Sequence, residues 1–448
     1  MIRVQSDYLY LALLVLSVIY GKVLRVLYAN KPLARKWAST LAGLAVDLVV
    51  SGPYILHQLT SIALQVALLR FWPKKSLGIA SFTCNFVYLY FFRLEDIFGI
   101  PLHPPVTNAV QMILSLKLIG LAFDHQEGSI DPSICDIFHF SFSHATILTG
   151  PYVRYRTFND CYEKEYFKSI DCDRRVLDRM KYFPLFIILY FVVGYVFPFS
   201  AVHEESFYES TSVLFRVFYF TPTFTTFRMR FYIGFILAEC ACIIYGLGAY
   251  PSIRMNKPGY GPSKDDNKSS RYKDEEFDFL TVKNIDPWQT EVALTVRDAL
   301  RQWNMTVQNW LVHYVYKKLP VRSLRTLSVM IVSSAWHGVH SGYYLSLGSI
   351  PLFLFVEDFY DKNLRARLPP RGQRAYDALG WFIRVQTFSY LSMAFQLLSI
   401  SSTLTYWRSI YFLGHVLAAL AYVIGLGIVR PLAHKYLPDP VVVKDKKA

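Results

Sequence analysis

Long apolar runs recur along the chain, each close to the roughly 20 residues needed to cross a hydrocarbon core. Eight are strong: residues 8–28, 39–56, 76–94, 106–123, 182–199, 227–250, 381–401 and 408–430. Weaker runs occupy 57–72, 134–150, 207–222 and 324–356. The last contains Gly338, Gly342 and Pro351, and is predicted to be two helices or one broken helix. The pattern predicts an all-α polytopic membrane protein with about 10–12 transmembrane helices. No series of ten-residue stretches with alternating polarity occurs, which argues against a barrel. Two polar stretches interrupt the runs. Residues 153–181 hold eight basic and six acidic side chains; 251–283 hold seven and six, with Gly259, Gly261 and Pro262, and are predicted to be a flexible loop. Neither is long enough for a separate domain, so residues 1–448 read as a single domain. No internal repeat is evident, unlike many transporters.

Composition agrees with this reading. Only 18% of the 448 residues are charged, against about 25% in an ordinary soluble chain. The net charge is nevertheless +14, from 47 basic and 33 acidic residues. Such an excess also suits nucleic-acid binding, but the apolar runs leave little water-facing surface for it, and no nucleic-acid partner is expected. The excess is expected largely in loops, where it sets orientation. Residues 22–36 carry five basic residues and no acid, and the tail from Arg430 carries five and two, so both are expected on the cytosolic side. The apolar run at residues 8–20 is followed by this basic stretch with no small-residue cleavage site, and reads as a retained first span. The closing Lys444-Asp445-Lys446-Lys447-Ala448 resembles a dilysine-type endoplasmic reticulum retrieval signal. Six cysteines show no zinc spacing and no disulfide framework.

The candidate chemistry lies in 286–356. Asp286-Pro287 is a good helix start. Apolar residues then recur at Val292, Val296, Ala299, Trp303, Val307, Trp310 and Tyr314, predicting one amphipathic helix with Asn304 at the margin of its stripe. Pro320 breaks it, and a second apolar helix leads into Trp336-His337-Gly338. An ionisable group at membrane depth is a functional candidate. A neutral core histidine is the bland alternative, and packing is the bland role for Asn304 and the tryptophans. Asn304 and His337 are equidistant from Pro320, so a helical hairpin would bring them to similar height. A buried imidazole near its ordinary pKa suits general-base work. The Asn amide could orient it or meet an oxyanion. No Gly-x-Ser-x-Gly elbow supports a serine triad. His337 and His340 alone do not make a metal site, and the other histidines are scattered.

At these residues the chain resembles the membrane-bound O-acyltransferase family, and within it is most similar to lysophosphatidylinositol acyltransferases. The likeness rests on Trp303-Asn304-Met305, on Trp336-His337-Gly338 followed by Gly342-Tyr343-Tyr344, and on Gly150-Pro151-Tyr152 upstream, in the family's order; Ser341 stands where the family has Pro. The resemblance implies a helical fold enclosing a substrate tunnel, with acyl-CoA entering from the cytosol and a lysophospholipid, lysophosphatidylinositol, from the lipid bilayer. It implies His337 as general base and Asn304 as its partner, a polyunsaturated acyl donor, no metal, no cofactor beyond acyl-CoA as co-substrate, and the endoplasmic reticulum membrane. Tyr152, Arg154, Arg156, Trp303, Trp336 and His340 are candidate substrate contacts; the two arginines suit CoA phosphates or the headgroup. Lysophosphatidylcholine or lysophosphatidylserine as acceptor, a membrane transporter, and a non-catalytic lipid-binding protein are the alternatives.

Overall fold

The computed structural model describes residues 2–263 and 276–439, with side chains from residue 8 onward. The dilysine-like tail lies outside the described residues, as does the middle of the second polar stretch. The fold is helical; among the described residues there are only two antiparallel two-residue strand pairs, Tyr250–Pro251 with Phe277–Asp278 and Asn256–Lys257 with Gly261–Pro262.

The apolar runs become helices, with boundaries that correct several expectations. The predicted spans 39–56 and 57–72 form Pro32–Ser51 and Ile55–Phe71, joined through a short turn at Gly52–Tyr54. The runs 207–222 and 227–250 merge into one 33-residue helix, Val213–Tyr245, with Pro222 inside it. The run 134–150 is helical only over Ile134–Ser141. The run 182–199 gives the 14-residue helix Phe183–Val196. Among the described residues four segments are long and apolar enough to cross a membrane: Tyr8–Leu27, Pro32–Phe71, Pro105–Gln126 and Leu413–Tyr436. Many of the other helices are too short, bent or polar to meet that test.

Their burial orders the bundle. In the most apolar window of Pro105–Gln126, 83% of residues are buried, against 28% for Tyr8–Leu27 and 17% for Leu413–Tyr436. The first is the central post and the other two are peripheral. Leu16, Leu41, Leu48, Val49, Ile188, Phe191 and Val423 are exposed, as apolar side chains against lipid should be. The interior is inverted: Asp47, Gln58, Gln65, Glu95, Gln111, Lys117 and Glu239 are buried. The 153–181 stretch, expected as a polar interruption, is mostly helical, as Tyr155–Glu163, Tyr166–Ser169 and Cys172–Met180. Phe158, Cys161, Phe167 and Cys172 are its buried face. Its Asp173 meets Lys22 and Arg25, each at 2.6 Å, and the Lys22 ammonium first holds that carboxyl below the usual range.

Non-helical backbone at membrane depth is tolerated only where protein buries it. Residues 142–153 obey this and are almost entirely buried. They approach Pro32–Ser51 so closely that a Cβ on Gly43 would sit 1.8 Å from the Phe142 carbonyl oxygen. Gly43→Ala is expected to lower the melting temperature of detergent-solubilised protein by about 5 °C or more, since backbone must shift to admit it. A melting curve matching the parent would show that this contact is not tight.

Candidate active site

The expected hairpin about Pro320 is present, but its first arm is not one helix. It is divided into Pro287–Val292, Val296–Gln302, Met305–Leu311 and the π-turn Val312–Tyr316. The apolar stripe survives because each break is compensated locally. At the first, Arg384 donates to the carbonyls of Glu291 (2.6 Å) and Ala293 (3.1 Å). Glu357 accepts from the backbone N–H of Val296 (2.5 Å) and Arg297 (3.2 Å), and Thr295 caps the new helix. At the second, Asn304 adopts a left-handed conformation (φ 47, ψ 50), which Asn tolerates better than most residues. The following Met305 N–H donates to the Asn284 carbonyl at 2.6 Å.

The arm is then hung on the central helix Pro105–Gln126. Trp310 Nε1 donates to the Leu116 carbonyl at 3.1 Å, Tyr314 Oη donates to Asp124 Oδ1 at 2.8 Å, and Lys318 pairs with Glu127 at 2.7 Å. The second arm, Arg325–His337, hangs on the same post: Trp336 Nε1 donates to the Met112 carbonyl at 3.0 Å. Leu116 and Met112 are one helical turn apart, about 6 Å. Going back along the first arm, Tyr314 meets Asp124, Trp310 meets Leu116, and Asn304 lies six residues further on. Both arms therefore reach the central helix within one turn of each other, Trp310 at Leu116 and Trp336 at Met112.

His337 is half-buried within an aromatic wall. Its ring centroid lies 4.9 Å from Trp336, 5.8 Å from Tyr343 and 5.0 Å from Phe395. The rings continue from Phe395 to Phe227 (5.7 Å), Phe231 (4.7 Å) and Trp303 (5.8 Å), the neighbour of Asn304. Asn304 Oδ1 is buried and has no hydrogen-bond partner among the described residues. A buried acceptor left unmade costs about 1–3 kcal/mol. It coincides with a backbone conformation that is itself unfavourable for a residue with a Cβ, and such coincidences mark functional positions.

The remaining candidates separate. Tyr152 is 1% exposed and joins Trp310, Tyr314 and Trp336 in one core cluster. Its N–H donates to Thr306 Oγ1 at 3.2 Å, and Thr306 donates to Asn284 Oδ1 at 2.5 Å, tying the Gly150-Pro151-Tyr152 segment to the turn after Asn304. Its ring fits only because residue 120 is glycine, where a Cβ would lie 2.3 Å from the Tyr152 oxygen. Arg154 does not present itself to a phosphate. Both its Nε (2.8 Å) and Nη2 donate to Asp124, and it stacks on Tyr260 at 4.5 Å. Arg156 is exposed and pairs with Asp160 at 4.0 Å. His340 is exposed at the start of Ser341–Asn363. Residue 341, where Ser replaces Pro, is followed by Gly342, whose backbone abuts Ala394 and Leu398. Sequence reasoning passed over Asn284, Asp124 and Arg93; for Asp124 and Arg93 a polar residue at the end of an apolar run was the only signal, and Asn284, after the second polar stretch, carried none.

The bundle belongs to a class of acyl-transfer enzymes built inside membranes. The chain matches the membrane-bound O-acyltransferase family over residues 48–400, and belongs to it. It is 37% identical over 449 residues to the membrane-bound acylglycerophosphatidylinositol O-acyltransferase of Homo sapiens, covering 94% of each chain. The Bos taurus protein of that name is 38% identical over 442 residues, with 93% of each covered. The corresponding Drosophila melanogaster protein is 34% identical over 417 residues, covering 85% of this chain and 84% of its own.

Arg154→Met is expected to destabilise the solubilised protein by about 3–5 kcal/mol, by leaving the Asp124 carboxylate buried and uncompensated. Adding Asp124→Leu should recover much of that loss in the same melting assay. Equal instability of the single and double variants would contradict the lock.

Proposed function

We propose that this protein is a lysophosphatidylinositol acyltransferase that uses acyl-CoA as donor. The reading is carried by Asn304, where a left-handed backbone and an unpartnered buried oxygen coincide. It is supported by relatives of matching length whose names specify acylglycerophosphatidylinositol as the molecule acted on.

In this reading neutral His337 takes the proton from the free glycerol hydroxyl of the lysolipid. The oxygen attacks the thioester carbonyl, and the tetrahedral intermediate collapses with loss of the CoA thiolate. The imidazolium returns its proton to that sulfur, leaving a diacyl phospholipid and CoA. The Asn304 amide either orients the hydroxyl and imidazole or donates to the oxyanion. Trp303, Trp336, Tyr343 and Phe395 exclude water, so the thioester meets the alcohol rather than hydrolysis. Their π faces also suit a bent polyunsaturated chain, and we assign arachidonoyl-type donors on that ground and on the resemblance. No cofactor is required. Placement in the endoplasmic reticulum membrane follows the resemblance. Arg154 is left out of substrate binding, because its guanidinium is spent on Asp124.

Purified protein is expected to esterify lysophosphatidylinositol from acyl-CoA, with His337→Ala at background and Asn304→Ala reduced about a hundredfold or more. The assay crosses lysophosphatidylinositol, lysophosphatidylcholine and lysophosphatidylserine with saturated and polyunsaturated acyl-CoA. Full activity of His337→Ala would remove the base assignment. A preference for lysophosphatidylcholine or lysophosphatidylserine would overturn the acceptor.

A further inference from the structure

Arg93 is the last residue of the helix Leu77–Arg93 and carries a guanidinium into the bundle. Its fork closes on the end of the helix that bears His337. Nη1 donates to the Ala335 carbonyl at 2.9 Å and Nη2 to the Trp336 carbonyl at 2.6 Å. Helix ends leave their last carbonyls without intrahelical partners. Here the Ser334 carbonyl is taken by the Gly338 N–H at 3.0 Å, and the next two are those that Arg93 meets. A cation is also the right charge for a helix C-terminus. On its other side Nε donates to Asn108 Oδ1 at 2.9 Å. Asn108 lies one turn before Met112, whose carbonyl accepts from Trp336 Nε1. The residue preceding His337 is therefore held at its main chain by Arg93 and at its side chain by Met112, both referred to the central helix.

Nothing else continues the helix beyond this point. The chain turns at Gly338, where a Cβ would lie 2.7 Å from the Tyr343 ring, and a new helix starts at Ser341. The nearest acid in sequence, Glu95, is engaged by His57 (3.0 Å) and His103 (3.3 Å). The charge of Arg93 is thus directed at peptide carbonyls.

We propose that Arg93 is a positioning residue for acyl transfer: its bidentate grip on the Ala335 and Trp336 carbonyls sets where the His337 imidazole stands relative to the reacting hydroxyl. The inference rests on His337 being the base. Arg93 touches neither substrate in this scheme and acts through the helix end. Displacing a catalytic group by about 1 Å costs up to a hundredfold in rate. Loss of the grip should therefore appear in kcat and leave binding intact.

The test is steady-state kinetics in detergent micelles for Arg93→Met, Arg93→Lys and Asn108→Ala, with His337→Ala in parallel. Arg93→Met is expected to lower kcat about tenfold to a hundredfold, with KM for acyl-CoA and lysophosphatidylinositol within about twofold of the parent. Arg93→Lys, which keeps the charge but loses the fork, should recover part of that kcat. Asn108→Ala should lower kcat about threefold at unchanged KM, by releasing the outer brace. Parental kcat in Arg93→Met overturns the proposal. So does a fall in kcat with a matching rise in both KM values that Lys does not relieve, which is the signature of a merely structural role. If Arg93→Met does not yield a monodisperse protein, the other two variants decide: parental kcat in both overturns the proposal. An active His337→Ala would instead sink the base assignment. A dead His337→Ala beside an unaffected Arg93→Met sinks the positioning role alone.

Discussion

The structure depends on one constraint: peptide groups freed where a helix breaks inside a membrane must be satisfied by protein. This chain breaks its helices often and answers with buried cations. Lys117, 1% exposed, donates to the Phe140 carbonyl at 3.1 Å, where Ile134–Ser141 ends, and to Thr146 at 2.8 Å. Arg384 closes the end of Pro287–Val292, and Arg93 closes that of Arg325–His337. Arg35, fully buried, reaches the Cys161 carbonyl at 2.8 Å and lies 4.2 Å from the Phe167 ring centroid. Arg179 divides its donors between the Glu239 carboxylate and the Ile285 carbonyl. An ammonium or guanidinium offers several donors to carbonyls that no backbone N–H can reach, and its charge matches the negative end of a helix.

That constraint revises the meaning of the basic excess. The sequence suggested arginines and lysines concentrated in loops, setting orientation and meeting phosphates. Six of the 47 basic residues, Arg35, Lys117, Arg228, Arg254, Arg367 and Arg384, are buried. Arg154 shows the difference most directly. Its place after Gly150-Pro151-Tyr152 marked it as a candidate for CoA phosphates or the headgroup, yet Asp124, at the far end of an apolar run, claims it. Nothing local to either residue announces that pair. Their separation of 30 positions is bridged only by the fold.

What was legible followed from periodicity and punctuation. The apolar runs, the turn at Pro320 and the interruption at Gly338 all leave marks in sequence. The breaks after Val292 and Gln302 leave none in the apolar stripe, because the residues that follow each break resume the same buried face. Val296, Ala299, Val307, Trp310 and Tyr314 are buried whether or not one helix joins them. Likewise, a span buried by protein and one facing lipid are equally apolar. The central role of Pro105–Gln126 therefore could not be read from composition, although Asn108, Gln111, Lys117 and Asp124 along it were available signs.

The central helix explains how a costly residue such as Asn304 is sustained. Each arm of the hairpin is fastened to it by a tryptophan indole donating to a backbone carbonyl, one turn apart, and each arm carries a second lock: Tyr314 and Arg154 on Asp124, and Arg93 on Asn108. These fasteners lie on both sides of Asn304 and His337 but leave their functional atoms out of the locking network. Preorganisation of this kind lets the surrounding bonds hold a strained, unsatisfied group in place. The Asn304 oxygen remains unpartnered because Thr306 and Met305, its near neighbours, are already bound to Asn284. The same bonds that stabilise the turn thereby leave the Asn304 side-chain oxygen outside the locking network.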